Sequence, residues 1–161
     1  MSNPISLAQV YTGWPDYQQH LITAITPLTP EQLGLQVTPH LRSIMVLAAH
    51  IISARVWWFH FVMLEGPTDL KPLVEWDDEG APARSATELV QGLNATWGVI
   101  QAGLARWTLA DLDQIFHRPG SGSARTYTRA WVIWHVLEHD LHHGGELSLA
   151  LGMHGLPAID L

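Results

Sequence analysis

The stretch from Trp131 to Met153, WVIWHVLEHDLHHGGELSLALGM, constrains the fold most because it combines a long helical pattern with four histidines. An α-helix turns by about 100° per residue, so residues spaced three or four apart converge on one face. On that face the histidines lie between the apolar residues Trp131 and Val132 on one side and Leu149, Ala150 and Met153 on the other, which predicts a polar cluster within a buried stripe. The residues of this arc are His135, His139, His142, His143 and Glu146.

The histidine arc needs partners, because burying imidazole rings without hydrogen bonds costs free energy. A divalent metal ion is one partner, since neutral imidazole suits Zn, Ni, Cu or Fe and an i, i+4 pair can supply two ligands to one ion. His139 and His143 form such a pair. Core histidines bonded to backbone carbonyls are the alternative, and the pattern alone leaves both open. Five other histidines are expected in the core or on the surface: His20, His40, His60, His117 and His154.

The composition predicts one globular domain over residues 1–161, with 47% hydrophobic and 14% charged residues. The net charge of −7 disfavours nucleic acid and acidic membranes as partners, because the long-range field repels phosphate. The absence of cysteine leaves His, Asp and Glu as metal ligands. The N-terminal segment lacks a basic region followed by an apolar stretch, so we expect a cytoplasmic protein without a signal peptide.

Long apolar periodicities predict an all-α fold, an up-down-type four-helix bundle. Pro15 is expected to kink the first helix or to restart it. Thr29–Gln32 is a cap signal for a short helical turn, and Ser85–Glu88 is a capping box that opens the third helix. A short hairpin with a GSGS turn is expected between the third and fourth helices, within Asp113–Tyr127. The long helices are predicted over Ile5–Thr26, over Leu41–Leu64, from Ser85 to Trp107, and from Thr126–Thr128 to Gly152 or Gly155.

The Ser43–Leu64 segment imitates a membrane span in length and apolar content. It contains His50, Arg55 and His60, and a central Arg alone costs roughly 2.5–3.5 kcal/mol on insertion into a bilayer. A helix buried within a helical bundle therefore explains the segment better than a membrane span does.

His50 is the candidate for a third metal ligand. Leu47 and Ala54 flank it on its own helical face, where a polar residue has no evident reason to lie. The middle of this helix can face the middle of the fourth helix, which carries His139 and His143. A core histidine with a satisfied hydrogen bond is the alternative.

A Pro- and acid-rich connector, Gly66 to Arg84, follows the second helix. The composition favours a solvated surface crossing. The alternative is a functional loop, because the connector is long and its segment from Trp76 to Glu79 leaves the end of the His50 helix. In that interpretation the segment forms a lid or a substrate wall.

The sequence resembles the DinB-like (YfiT-type) family of metal-dependent proteins, through His50 in an apolar second helix and WHVLEHDLHHGGELSL on the last. The resemblance extends over the whole chain in helix order and length. It implies a four-helix bundle, usually a homodimer, with a divalent metal held by His50, His139 and His143. Zinc is the first expectation, with nickel, iron or manganese as alternatives. Where the family often has Arg-Gly-Gln after the last ligand, this chain has Gly-Gly-Glu146, which removes a cation that could hold a substrate anion.

His135 and Glu146 are the candidate catalytic residues. His135 precedes His139 by one turn and is a hydrogen-bond partner of a ligand, a proton shuttle or a packing residue. Glu146 orients a ligand histidine, acts as a base, or forms a salt bridge with an arginine. His142 is expected to point at a neighbouring helix. The arginines available for that salt bridge are Arg42, Arg55 and Arg129.

Three protein ligands leave one coordination position open, where such ions activate water or a thiol for hydrolysis or group transfer. The family resemblance implies a thiol S-transferase in detoxification or stress response, acting on a small-molecule thiol and an electrophile. A metal-dependent hydrolase and a non-catalytic dimeric stress or metal-binding protein are the alternatives.

A homodimer is also expected from the residues themselves. Eight Trp are many for the interior of one small bundle, and several apolar residues of the fourth helix point away from the histidine arc. These are Ile133, Trp134, Leu137, Leu141 and Leu151.

Overall fold

The computed structural model of the protein describes residues 5–120 and 125–161. This part of the chain is mostly helical, as predicted. The α-helices are α1 (Trp14–Ile25), α2 (Pro30–Leu33), α3 (Ile44–Val56), α4 (Ala86–Arg106) and α5 (Arg129–Met153). Three 3₁₀ helices span Leu7–Gln9, Thr68–Glu75 and Leu109–Asp111, and a π-helical segment spans Trp57–Val62. Two strands, β1 (Ile115–His117) and β2 (Thr126–Thr128), complete the described elements.

The predicted first helix is divided at Pro15. A 3₁₀ turn at Leu7–Gln9 precedes α1, and α1 begins at Trp14 with Pro15 in its first turn. Proline lacks a backbone N–H and fixes φ, which suits the first turn of a helix and not its interior. Of the two predicted outcomes, Pro15 therefore restarts the helix.

Side-chain caps fix where the other helices begin. Thr29 accepts a hydrogen bond from the backbone N–H of Gln32, and Ser85 accepts one from that of Glu88, so both predicted cap signals are confirmed. Thr128 caps α5 by accepting from Trp131. Ser43 caps α3 at Ile44, three residues later than the predicted start at Leu41.

The apolar helix α3 runs through the middle of the fold. It contacts both α4 and α5. Ile44–Val62 is long and apolar enough to cross a membrane by length and composition alone, but 56% of its apolar window is buried inside the protein. That burial is typical of the core helix of a soluble domain. The helical run ends where Leu64 and Gly66 adopt positive φ of 60° and 82°.

Two groups of buried side chains form the core. One joins α1, α3, α4 and α5 beside α2, and the other joins α1, α4, α5 and the π-helical segment. The first is centred on Leu21, Ile25, Ile51, Leu89, Leu93 and Leu147, and the second on Leu7, Trp14, Phe59, Ile100, Ile133 and Val136.

The predicted hairpin is confirmed. β1 pairs antiparallel with β2, and Phe116 lies opposite Tyr127. Arg129, which follows the hairpin, lies over the rings of Trp107 and Phe116 and donates to the Asp111 carbonyl, so the hairpin is attached to the end of α4. Residues 121–124, which include all of the predicted GSGS turn except Gly120, lie outside the described residues.

The connector between α3 and α4 is largely exposed and none of its residues is buried, as its composition favoured, but one side of it packs against α3. Residues Thr68–Glu75 form a 3₁₀ helix packed against α3, and the Ser53 hydroxyl donates to the Val74 carbonyl at 2.7 Å. The Trp76 ring lies so close to α4 that a Cβ at Gly92 would be 2.8 Å from it. The partly buried Leu73 and Trp76 attach the connector to the core, and this places Asp77 of the acidic segment beside His50.

The burial of α5 differs from two expectations. Residues predicted to continue a buried stripe beside the histidines are exposed, with Leu149 at 57% and Met153 at 64%. Ile133 and Leu151, two of the apolar residues from which a second subunit was expected, are fully buried, so other helices of the same chain cover them. The Val, Ile and Leu side chains on the other face of α5 pack into the core, so the histidine face borders solvent.

Candidate metal centre

Three histidines from two helices meet between α3 and α5. His50 comes from α3, and His139 and His143 come from successive turns of α5. One ring nitrogen from each lies within 4.8 Å of the others. The ring centroids are 4.7 Å apart for His50 and His139, 4.6 Å for His50 and His143, and 4.3 Å for His139 and His143. The structure thus brings together all three residues nominated as ligands.

Two of these rings each have a carboxylate beside their Nδ1 atom. His50 Nδ1 lies 2.5 Å from Asp77 Oδ2, and His143 Nδ1 lies 2.7 Å from Glu146 Oε2. A neutral histidine that donates from Nδ1 keeps the lone pair of Nε2 free. A carboxylate behind the imidazole is the arrangement that orients histidine ligands in metal sites.

His139 supplies an independent indication of a missing partner. Its Nδ1 is buried and has no hydrogen bond among the described residues. Burial lowers the pKa of His139 to about 3, with smaller contributions from the neighbouring His143 and His50. A buried ring that is neutral and unsatisfied at one nitrogen fits a metal ligand, because metals bind the neutral form of imidazole.

The pKa values of two further groups, His143 and Asp77, are also shifted in the direction that favours metal binding. Burial lowers the pKa of His143, although its hydrogen bond to the Glu146 carboxylate opposes that shift. Burial raises the pKa of Asp77, but hydrogen bonds with His50 and Ser53 outweigh it, so the net pKa is below the ordinary value. Neutral His139 and His143 together with an ionised Asp77 fit a site for a divalent transition metal.

Glu146 lies where the orienting role requires it. It contacts His143, and its other carboxylate oxygen is 3.7 Å from His142 Nε2. The predicted alternative, a salt bridge to an arginine, is not found within residues 5–120 and 125–161. Arg55 pairs with Asp140, and Arg129 donates to a backbone carbonyl.

The sequence suggested that His142 points at a neighbouring helix, but it does not. Its side chain is 65% exposed, because the histidine face of α5 borders solvent. Together with His143 and Glu146 it forms a second, more exposed group with metal-ligand spacing.

His135 lies outside the three-histidine cluster. Its ring stacks on Trp131 at 4.6 Å, meets Trp58 edge to face at 4.9 Å, and is 6.0 Å from the His139 ring. Its Nδ1 is 3.6 Å from Glu138. His135 therefore packs among aromatic rings at the edge of the site.

An opening reaches the cluster from the solvent side. It has a volume of about 300 Å³ and is lined by His135, Glu138, His139 and His142. One of the three clustered histidines thus lies on the wall of an accessible depression. The site is not enclosed by protein on all sides.

Sequence reasoning missed two carboxylates near the cluster. Asp77 lies in the acidic connector, which was considered as a possible lid, but no spacing rule relates it to His50. Asp140 follows His139 directly and faces the opposite side of α5. There it bonds to Arg55 and to the Trp14 indole in the core. The one available signal was an Asp placed within an apolar helical face.

Comparison with known proteins agrees with this architecture. The model of the DinB superfamily matches residues 16–147. No curated protein matches the sequence significantly. The crystal structure of a DinB-like protein from Bacillus cereus is similar to this chain, with 21% identity, 93% of each chain covered and a TM-score of 0.65. At that identity the likeness shows a shared fold.

Proposed function

Because the chain belongs to the DinB superfamily, we propose that it is a metal-dependent enzyme that binds one divalent ion through His50, His139 and His143. Its four long helices then correspond to an up-down four-helix bundle, with the site between the second and the last of them. The observation that carries the proposal is the convergence of three histidine nitrogens within 4.8 Å. Zinc suits this donor set best, with nickel, iron and manganese as alternatives.

A divalent ion on three neutral imidazoles supplies Lewis-acid chemistry, because it keeps its full charge and has a coordination position free for a substrate. The protein's contribution is to hold the rings. Asp77 fixes the orientation of His50, and Glu146 fixes that of His143. Burial keeps His139 neutral and ready to bind.

Glu146 and His135 are the proposed proton carriers. Glu146 has one carboxylate oxygen on His143 and the other near the exposed His142, which gives a path from the cluster toward solvent. His135 lines the opening that leads to the cluster, where it can exchange protons with water. Proton transfer by such groups requires hydrogen-bond reach to the substrate. His135 lines the opening itself, and Glu146 lies next to it through His142.

We favour a thiol S-transferase in detoxification or stress response. In that reaction the sulfur of a small thiol attacks an electrophilic carbon, a C–S bond forms, the leaving group departs with its electron pair, and the thiol proton goes to a protein base or to solvent. The opening at His139 supports catalysis over a structural role, because a substrate can reach the cluster. A hydrolase is the second candidate, since Glu146 beside the cluster could serve water as its base.

We also propose a homodimer, although fewer apolar residues of α5 are exposed than the sequence predicted. With Ile133 and Leu151 buried in the chain, the remaining apolar surface of α5 includes Trp134 at 55% and Leu141 at 43% exposure. Exposed apolar patches of this kind often pair about a two-fold axis. Light scattering at micromolar concentration tests it: a mass of twice 17.9 kDa is expected, and the monomer mass would contradict it.

The experiment that tests the function is a reaction screen with protein purified without an affinity tag. Zinc-loaded and metal-free protein are each given low-molecular-weight thiols with chlorodinitrobenzene, and nitrophenyl acetate in a separate assay. We expect chloride release that requires thiol and metal and is lost in His139→Ala but retained in His20→Ala. Ester cleavage without thiol dependence would instead support the hydrolase, and inertness of the loaded protein toward both would contradict catalysis.

A further inference from the structure

A second cavity adjoins the histidine cluster, on the side away from the opening lined by His135 and His139. It has a volume of about 430 Å³ and lies between the loop before α3 and the C-terminal half of α5. We refer to it as the Arg42 cavity. Its apolar walls include Val37, Leu47 and Leu149, and its polar groups are His40, Arg42 and Glu146.

The Arg42 cavity is next to the cluster along both helices that carry it. Leu47 precedes His50 by three residues on α3, and Glu146 follows His143 by three residues on α5. Residues three apart are neighbours on a helix face. Glu146 therefore contacts His143 and also lines the cavity. A molecule in the cavity would lie within one helical turn of the cluster on each side.

Hydrogen bonds hold the loop wall of the cavity in place. The Leu41 backbone N–H donates to the Thr38 carbonyl at 3.1 Å, and the Gln36 side-chain amide donates to the Leu41 carbonyl at 2.6 Å. His154, at the end of α5, lies 2.8 Å from the Gln36 carbonyl through its Nε2. Hydrogen bonds within the segment that carries Arg42, and one from this segment to the end of α5, thus fix its position, as expected for a preformed pocket.

Of the two charged residues that line the Arg42 cavity, Arg42 is the one whose side chain has no partner within the two described stretches of the chain. Arg42 is exposed to solvent and has no hydrogen bond or ion pair in the described part of the chain. The Glu146 carboxylate, by contrast, is already engaged by His143 and lies near His142. A guanidinium at the rim of an apolar cavity is suited to bind a carboxylate through two parallel hydrogen bonds.

We propose that the Arg42 cavity binds a small carboxylic acid with an apolar chain. The carboxylate pairs with Arg42, and the chain lies against Val37, Leu47 and Leu149. This rests on the proposed function in one respect only: it names apolar acids as the substrate class held beside the cluster. Binding itself depends on Arg42 and the apolar walls and not on the metal.

Titration calorimetry with octanoate tests the proposal on untagged protein, both zinc-loaded and freed of metal by chelation and desalting. Octylamine provides a probe with the same chain and the opposite charge. Arg42→Gln removes the cation, and Lys71→Gln is the matched control because it makes the same charge change at an exposed residue outside the cavity. Leu149→Glu, at a residue 57% exposed, adds a repelling charge to the wall without disturbing the core.

We expect saturable octanoate binding, equal with and without zinc and unchanged in Lys71→Gln. Arg42→Gln should weaken it about tenfold, as the loss of a charged hydrogen-bond pair predicts, and Leu149→Glu should weaken it as well. Equal affinity for octylamine, or unchanged octanoate affinity in Arg42→Gln, would overturn the proposal. Binding that disappears on chelation but survives Arg42→Gln would place the acid on the metal, which overturns the cavity assignment and supports the metal site. If zinc does not bind at all but octanoate still requires Arg42, the cavity assignment holds and the proposed function fails.

Discussion

Arg55 and Asp140 form an ion pair in the interior of the protein, with Arg55 Nη2 2.7 Å from Asp140 Oδ2 and side chains 1% and 0% exposed. The pair joins α3 to α5, five residues after His50 and one residue after His139. The Trp14 indole N–H donates to the same carboxylate at 2.8 Å. The two helices that carry the histidine cluster are thus connected by a satisfied polar contact, which fixes their relative position.

Asp140→Asn should lower the free energy of unfolding by about 3–5 kcal/mol, because it leaves the Arg55 charge buried without a counter-charge. Urea denaturation monitored by circular dichroism measures the change. Arg106→Gln is the control: it removes the exposed pair with Glu65, worth less than about 1 kcal/mol. Similar small effects of both variants would contradict the role of the buried pair.

Gly144→Ala should destabilise the protein by about 1–3 kcal/mol, because the new Cβ would lie 2.1 Å from the Tyr17 hydroxyl. Gly145→Ala meets nothing within 4 Å and should be neutral or stabilise α5 by up to about 1 kcal/mol. Thermal unfolding compares the two neighbouring variants. Adding Tyr17→Phe to Gly144→Ala should recover part of the loss, and failure to recover any would mean that the clash lies elsewhere.

Asp77→Asn should weaken metal affinity by about 10- to 100-fold, since the carboxylate that orients His50 is lost. Competition with a coloured chelator measures the affinity. Asp78→Asn, an exposed neighbour in the same connector, should leave it unchanged. Equal affinities of the two variants would show that Asp77 does not support the site.

Glu146→Gln should retain metal at stoichiometric concentrations and lose catalytic rate, because an amide can still accept from His143 but cannot carry a proton. The rate of the thiol-dependent reaction and the metal content of the same preparation are the two readouts. A variant that keeps both its metal and the full rate would remove Glu146 from the mechanism.

The metal-free protein should lose stability as the pH falls from about 7 to about 5. The folded pKa of His139 is about 3 against an ordinary value of 6.5, so between these values the unfolded chain binds a proton that the native chain does not. Stability therefore rises with pH in this window. The loss should be smaller in His139→Gln, and denaturant titrations at both pH values compare them. An equal loss in both proteins would argue against a buried neutral His139.

The sequence predicted the cluster because its ligands obey local rules. His139 and His143 are one helical turn apart, and His50 is the polar residue between Leu47 and Ala54 in an apolar helix. Helix starts were predictable for the same reason, since Thr29 and Ser85 form capping boxes with residues three positions later. These features depend on the chain within a few residues.

Features that depend on tertiary contacts could not be predicted in this way. Asp77 reaches His50 because Trp76 and the 3₁₀ helix pack against the core, and nothing in an acidic connector indicates that packing. The exposure of His142 and Leu149 depends on which side of α5 its neighbours cover. The sequence shows that Arg55 disfavours a membrane span, but it does not show its partner Asp140, which lies 85 positions away.

Metal analysis of untagged protein tests the central claim most directly. After loading with zinc and desalting, elemental analysis should find one equivalent of zinc per chain in the wild type and in His20→Ala. Each of His50→Ala, His139→Ala and His143→Ala should lose most of the metal, and the triple variant should lose all of it while circular dichroism shows a retained helical fold. One equivalent of zinc remaining in the folded triple variant would place the metal elsewhere and contradict this account.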